Sequence, residues 1–116
     1  MGAIRGAICA DNTVTDVEEK SVDLIQRILI DNSITADDVD AVLFSVTDDI
    51  DVCYPAKAVR ERLAMPNVAF MCFAEMRVKN SLKNCIRVCV LAPKLEQQAC
   101  KHCYLGKART LRSDLK

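Results

Sequence analysis

Three charged residues stand where the pattern around them asks for apolar side chains. In the run Cys85-Ile86-Arg87-Val88-Cys89-Val90-Leu91-Ala92, alternation with period two sets Ile86, Val88 and Val90 on one face. Arg87 shares the other face with Cys85, Cys89 and Leu91. Arg5 repeats the oddity near the N-terminus, alternating with Ala3, Ala7 and Cys9, and Glu75 closes the apolar run 68–75. A guanidinium among apolar neighbours is costly unless it is paired or held for an anion. An arginine–glutamate pair would satisfy two of the three charges, and Arg87 taken alone reads first as a partly exposed arginine on a strand end. The surplus cation is what a site for a small, carboxylate-rich ligand would show.

Other chemistries lack their residues. The single histidine, His102, lies in a different region from these charges, and there is no glycine-rich phosphate loop. Cys100-Lys101-His102-Cys103 has the spacing of half a zinc site or a redox pair, and only Cys85 and Cys89 offer the remaining ligands. Its position near the C-terminus, not just after an early strand, argues against thioredoxin-like chemistry. Small buried hydrophobes that happen to be cysteine are the simpler reading. The acidic stretch Asp48-Asp49-Ile50-Asp51 lacks a calcium loop's glycine and full ligand set and reads as a solvated turn. The residues alone thus specify a small-anion site built from strands, with no reaction and no cofactor or metal.

The elements that must position these charges alternate along the chain. A first strand over 3–9 runs into a polar turn at Asp11-Asn12. A helix follows from about Thr15, where Thr15 and Glu18 have capping-box spacing. Its apolar face is Val17, Val22, Ile25, Ile28 and Leu29, leaving Glu18, Glu19, Lys20, Asp23 and Arg27 to water. Thr35-Ala-Asp-Asp suggests a capped turn. Strands are predicted over 39–47, 67–74 and 85–92, with a short helix over 56–63 opened by Pro55. A helical turn near 96–99 and an extended piece at 103–105 end the chain. About four strands and one covering helix leave apolar surface open, which favours oligomerisation.

Composition sets the outer bounds. The 116 residues suit one domain, 1–116, with 51% hydrophobic and 28% charged residues. Sixteen basic and sixteen acidic side chains cancel, so no overall field favours nucleic acid or a membrane surface. No apolar run approaches the roughly 20 residues a membrane span needs. The segment 1–6 has no signal-like apolar stretch, and Gly6 stands where a myristoylation motif wants Ser or Thr. Seven cysteines, an odd number, read as free thiols, and the expectation is a cytoplasmic protein.

Six stretches together resemble the trimeric chorismate mutases of the Bacillus monofunctional type. They are Ile4-Arg5-Gly6-Ala7, Tyr54-Pro55-Ala56-Lys57-Ala58-Val59-Arg60-Glu61, Cys72-Phe73-Ala74-Glu75-Met76, Cys85-Ile86-Arg87-Val88, His102-Cys103-Tyr104-Leu105 and Leu111-Arg112-Ser113-Asp114-Leu115. They fall in order and cover almost the whole chain. The resemblance implies an α+β subunit, a mixed sheet covered by one long helix. It also implies a homotrimeric pseudo-barrel with active sites between subunits, and rearrangement of chorismate to prephenate in phenylalanine and tyrosine biosynthesis. It sets Arg87 against the ether oxygen of the breaking bond and a carboxylate, Arg5 and Tyr104 on a carboxylate, and Glu75 on the ring hydroxyl. Met71, Cys72, Phe73 and Ala74 line the substrate. Tyr54, Lys57 and Arg60 border the site, and Arg112 sits in a mobile tail at its mouth.

A pericyclic rearrangement suits this residue set, since it requires neither nucleophile nor proton transfer. Departures from the family pattern are Tyr54 for the usual phenylalanine, Ile8-Cys9-Ala10 for Thr-Thr-Val, and a 77–80 loop without the expected Asp and Gly. Cys72 and Glu75, three apart, face opposite sides of a regular strand, so lining one pocket together would require a bulge or a strand end. Rival readings are a trimeric imine-deaminase-like or other anion-binding protein, and a metal or interaction module centred on Cys100, His102 and Cys103.

Overall fold

The computed structural model describes residues 1–112; the predicted motif residues Ser113, Asp114 and Leu115 lie outside that range. The elements are β1 (Gly2–Cys9), α1 (Val14–Asp31), β2 (Ala41–Val46), α2 (Pro55–Arg62), β3 (Ala69–Ala74), β4 (Cys85–Ala92) and β5 (Cys103–Tyr104), with short 3-10 turns between. The strands form one mixed sheet in the order β3-β2-β4-β1-β5. β4 runs antiparallel to both β1 and β2, while β2–β3 and β1–β5 are parallel. The expected α+β class and mixed sheet hold. The expected four strands become five, because the short extended piece at 103–105 pairs with β1. The expected single covering helix becomes two.

Helix α1 starts earlier than the capping signal at Thr15 suggested. Thr13 is the N-cap, its hydroxyl accepting from Asp16 N–H, and the Asp16 carboxylate accepts from Asp11 N–H. Thr15 lies inside the helix, and Glu18 instead pairs with Arg62 of α2 at 3.1 Å. The buried face of α1 is Val17, Ser21, Leu24, Ile25 and Ile28, with Val22 and Leu29 half-buried beside it. Both helices cover the same side of the sheet, where Ile4, Ile8, Val42, Phe44, Ile86, Val88 and Val90 meet them. Pro55 takes the first position of α2 as predicted, where its missing N–H costs nothing.

The outer edge of β1 is finished by side chains as well as by β5. Gln97 accepts from Ala3 N–H at 2.8 Å and donates to Ala3 C=O at 3.0 Å. His102 Nδ1 accepts from Arg5 N–H at 2.9 Å, and Leu105 N–H donates to Ala7 C=O at 2.9 Å. Gly6 makes this approach possible. A Cβ there would stand 2.8 Å from the Cys103 carbonyl oxygen and 3.0 Å from Ile28 Cδ1.

Candidate active site

Ladder pairing fixes which residues share the sheet face away from the helices. Arg87 lies opposite Ala7 on β1 and Ser45 on β2, Ser45 opposite Phe73, and Ala7 opposite Tyr104. The register therefore gathers Arg5, Arg87, Tyr104, Met71 and Phe73 on one surface, with Glu75 at its rim just past β3. The three charges that broke the sequence pattern all stand here. Met71 and Phe73 are about half exposed on this chain, at 52% and 48%, so the face has no covering layer at β3. At the β1 end, Tyr104 packs with Ala7, Cys85 and Ala108 beneath the C-terminal turn.

Glu75 is held from two sides. Its Oε1 accepts from the Ser45 hydroxyl at 2.8 Å and lies 3.4 Å from Arg87 Nε. Glu75 N–H donates to Val46 C=O, which continues the β2–β3 pairing one residue past β3. Arg87 Nε is buried from solvent yet makes no hydrogen bond, because its contact with Glu75 lacks the required alignment. A buried, unspent guanidinium N–H beside a fixed carboxylate is suited to a ligand oxygen that carries negative charge. Ser45 escaped the sequence reading, although its alternation with Leu43 in an apolar strand was the available signal.

His102 also belongs to this surroundings without having been predicted there. Burial holds its pKa below the ordinary histidine value, and the Arg5 and Arg112 cations add to the effect. Since Nδ1 accepts from Arg5 N–H, the ring is neutral with its proton on Nε2. His102 and Tyr104 line a cavity of about 230 Å³ that Arg27, Arg109 and Arg112 also border. Arg112, expected in a mobile tail, is the last described residue and takes part in this lining.

Cys72 does not join Glu75 within one chain. β3 has no bulge, so Cys72 pairs with Phe44 and its side chain packs on the helix side, where burial raises its thiol pKa. With Phe73, Ala74 and Tyr54 it lines a separate cavity of about 450 Å³. Tyr54, 75% exposed, precedes α2, and Lys57 and Arg60 are exposed on that helix. The predicted residues thus fall into two groups: Arg5, Glu75, Arg87 and Tyr104 on the open sheet face, and Tyr54 and Cys72 around the second cavity.

The half zinc motif is dispersed. His102 Nδ1 is engaged with β1, Cys103 is buried against the helices, and Cys100 contacts Glu96 C=O. The sheet itself separates Cys103 from Cys85 and Cys89, and no metal-ligating cluster occurs among the described residues. The acidic loop is tied down instead: Asp49 accepts from Asn84 N–H and from Thr47, Asp51 N–H donates to Asn12, and Asp48 pairs with Arg77. No helix among the described residues is long and apolar enough to cross a membrane.

A mixed five-stranded sheet backed by helices on one face and carrying arginines on the other defines the class to which this protein belongs. The chain matches the family "Chorismate mutase type I" over residues 1–115 and belongs to it, which makes it an enzyme, a chorismate mutase. It is 37% identical over 114 residues to the chorismate mutase AroH of Bacillus subtilis (strain 168), covering 97% of this chain and 90% of the relative. It is 34% identical over 115 residues to the chorismate mutase AroH of Thermus thermophilus, covering 97% and 93%. Its fold superimposes on a chorismate mutase from Clostridium thermocellum with a TM-score of 0.90 at 32% identity, over 95% of this chain and 99% of that one.

Proposed function

We propose that the whole chain, 1–116, acts as one domain of a cytoplasmic homotrimer that rearranges chorismate to prephenate, feeding aromatic amino-acid biosynthesis. The observation that carries the mechanism is the buried Arg87 Nε without a hydrogen-bond partner, 3.4 Å from Glu75. In this reading Arg87 donates to the ether oxygen as the C–O bond lengthens, where negative charge develops, and to a carboxylate of the substrate. Arg5 and Tyr104 take a carboxylate. Glu75, fixed by Ser45, accepts from the ring hydroxyl and so sets the orientation of the ring. Met71, Cys72, Phe73 and Ala74 provide the wall, Tyr54, Lys57 and Arg60 the border, and Arg112 the mouth.

Charge and shape are enough for this reaction. Holding the dianion in its reactive conformation removes much of the entropic barrier, and preorganised donors stabilise the transition state without a cofactor or metal. Arginine serves better than lysine because it is always charged and forks onto carboxylates. Two features support a site shared between subunits: the open sheet face with Met71 and Phe73, and the separation of Tyr54 and Cys72 from Arg87 within one chain. The seven unpaired cysteines suit a reducing compartment. The test is direct. Purified protein consumes chorismate, followed by its loss of absorbance, and does so equally after dialysis against a chelator. No turnover, or turnover restored only by added metal, would overturn the reading.

A further inference from the structure

Cys9 and Cys85 lie opposite one another across the antiparallel β1–β4 ladder. Ala10 N–H donates to Asn84 C=O at 2.9 Å, so the next pair inward is a non-hydrogen-bonded one. The backbone of Cys85 agrees, since its N–H and C=O both go to Thr47 at the far side, at 2.9 and 3.1 Å. In such pairs the Cα atoms stand about 4.5 Å apart and the side chains are at their closest. That separation falls within the roughly 4.4–6.8 Å that a disulfide bridges. The two thiols are near enough to shift one another's titration. Cys85 is sealed at 1% exposure, whereas Cys9 opens on a cavity of about 480 Å³ bordered by Lys83 and Lys107 and by the Lys20–Asp16 pair and Asp11. The pair therefore has one sulfur that an oxidant reaches and one shielded behind it.

We propose that Cys9 and Cys85 form a reversible disulfide site, closed by a hydroperoxide entering this polar cavity, and that closure disturbs Arg87. The Cys9 thiolate attacks the terminal peroxide oxygen. The O–O bond breaks, leaving a sulfenic acid on Cys9 and releasing water or an alcohol. The Cys85 sulfur then displaces the sulfenic hydroxyl as a second water, forming the S–S bond. The two thiols lose two electrons and two protons, and the peroxide takes up both. Cys85 is two residues from Arg87 on the same face of β4, and the residues opposite them on β1, Cys9 and Ala7, are likewise two apart. A bond between the two strands at Cys9 and Cys85 fixes β4 to β1 one same-face position from Arg87.

Selectivity follows from the register. No other cysteine faces a cysteine across a ladder: Cys89 faces Arg5 and Leu43, Cys72 faces Phe44, and Cys103 faces Gly6. Burial raises both thiols, Cys85 to about 11, so the attacking Cys9 thiolate is a minority form near neutrality and its fraction grows with pH.

The test treats the native protein with hydrogen peroxide, blocks remaining thiols, and maps tryptic peptides without reduction. Peptides 6–20 and 84–87 should appear joined, at a rate that rises with pH between neutral and mildly alkaline, and separate on adding dithiothreitol. Chorismate turnover should fall in step with the joined fraction and recover on reduction. Cys9→Ser should keep its turnover and lose this peroxide sensitivity. Cysteines 9 and 85 recovered unlinked, or joined to other partners, would overturn the site itself. A fully joined protein with undiminished turnover would overturn the link to Arg87. That second arm rests on the mutase reading, while the peptide map does not, so the two fail separately.

Discussion

One oxygen of Glu75 serves two neighbours: Oε1 accepts the Ser45 hydroxyl at 2.8 Å and stands 3.4 Å from Arg87 Nε. The hydroxyl makes the hydrogen bond to the carboxylate while the guanidinium adds an ion pair, and Arg87 Nε keeps an N–H to give. Glu75 follows β3 and Arg87, twelve positions on, lies in β4; these strands do not pair, and Ser45 on β2 between them joins the two.

Replacing Arg87 with alanine should lower kcat by at least about 10²–10³-fold, the scale of losing one preorganised transition-state donor. Arg87→Lys keeps the charge but loses the fork and should also be severely impaired. Because Ser45 still holds Glu75, thermal stability and assembly should survive the change to alanine. A folded Arg87→Ala protein with near-normal chorismate turnover would sink the mechanism, and unfolding would mark Arg87 as structural.

Ser45 acts through Glu75 and is a positioning residue. Ser45→Ala should reduce kcat/KM by about 10-fold or more, the scale of one hydrogen bond to a charged group. Ser45→Thr retains the hydroxyl and should recover most of the loss. Adding Ser45→Ala to Glu75→Ala should cost little further, whereas independent losses would show that Ser45 does not work through the carboxylate.

The open face should be a subunit interface. Sedimentation at micromolar concentration is expected to give three chain masses. Phe73→Asp, which puts charge on the half-exposed apolar face, should yield smaller species with greatly reduced turnover. A fully active wild-type monomer would contradict the shared site.

His102 makes stability depend on acid. Its folded pKa lies below the ordinary 6.5, from burial first and the Arg5 and Arg112 cations second. The unfolded chain therefore takes up the proton more readily than the folded one, so stability rises with pH through the window. The contribution is complete above about pH 6.5 and is lost as pH falls from there toward the depressed folded value. His102→Asn offers an amide oxygen near the place of Nδ1 and does not titrate. Urea midpoints measured between neutral and acid pH should fall less steeply for that variant than for wild type. Parallel curves would remove His102 from the acid response.

The sequence exposed the charges more readily than their arrangement. Arg5, Arg87 and Glu75 each violated a local pattern, and the sheet gathers them at one surface, because a period-two repeat reports facing within a strand. Which strands lie side by side is set by long-range pairing, so Ser45 between Glu75 and Arg87 was not visible locally. The parity argument also separated Cys72 from Glu75, and β3 keeps them apart. Helix α1 was legible in its apolar face but not at its start, since Thr13-Asp16 and Thr15-Glu18 have equivalent spacing and tertiary contacts favoured the first. The extended piece at 103–105 was legible, but its pairing with β1 was not; Gly6 lets it dock there as β5.

The finishing of β1 by Gln97, His102 and β5 carries a consequence for synthesis. β1 leaves the ribosome first, yet its inner neighbour β4 begins at Cys85, and its outer contacts come from residues 94 and 97 positions away in sequence. Until those residues emerge, β1 has no partner on either side, so a nascent chain stalled before the last third carries the Arg5 strand unpaired. Closing such distant pairs is slow. The surface that carries Arg5 and Arg87 is therefore completed only after residues 85–104 have been made, and a change that removes Gln97 or His102 strikes β1 as directly as one within the strand.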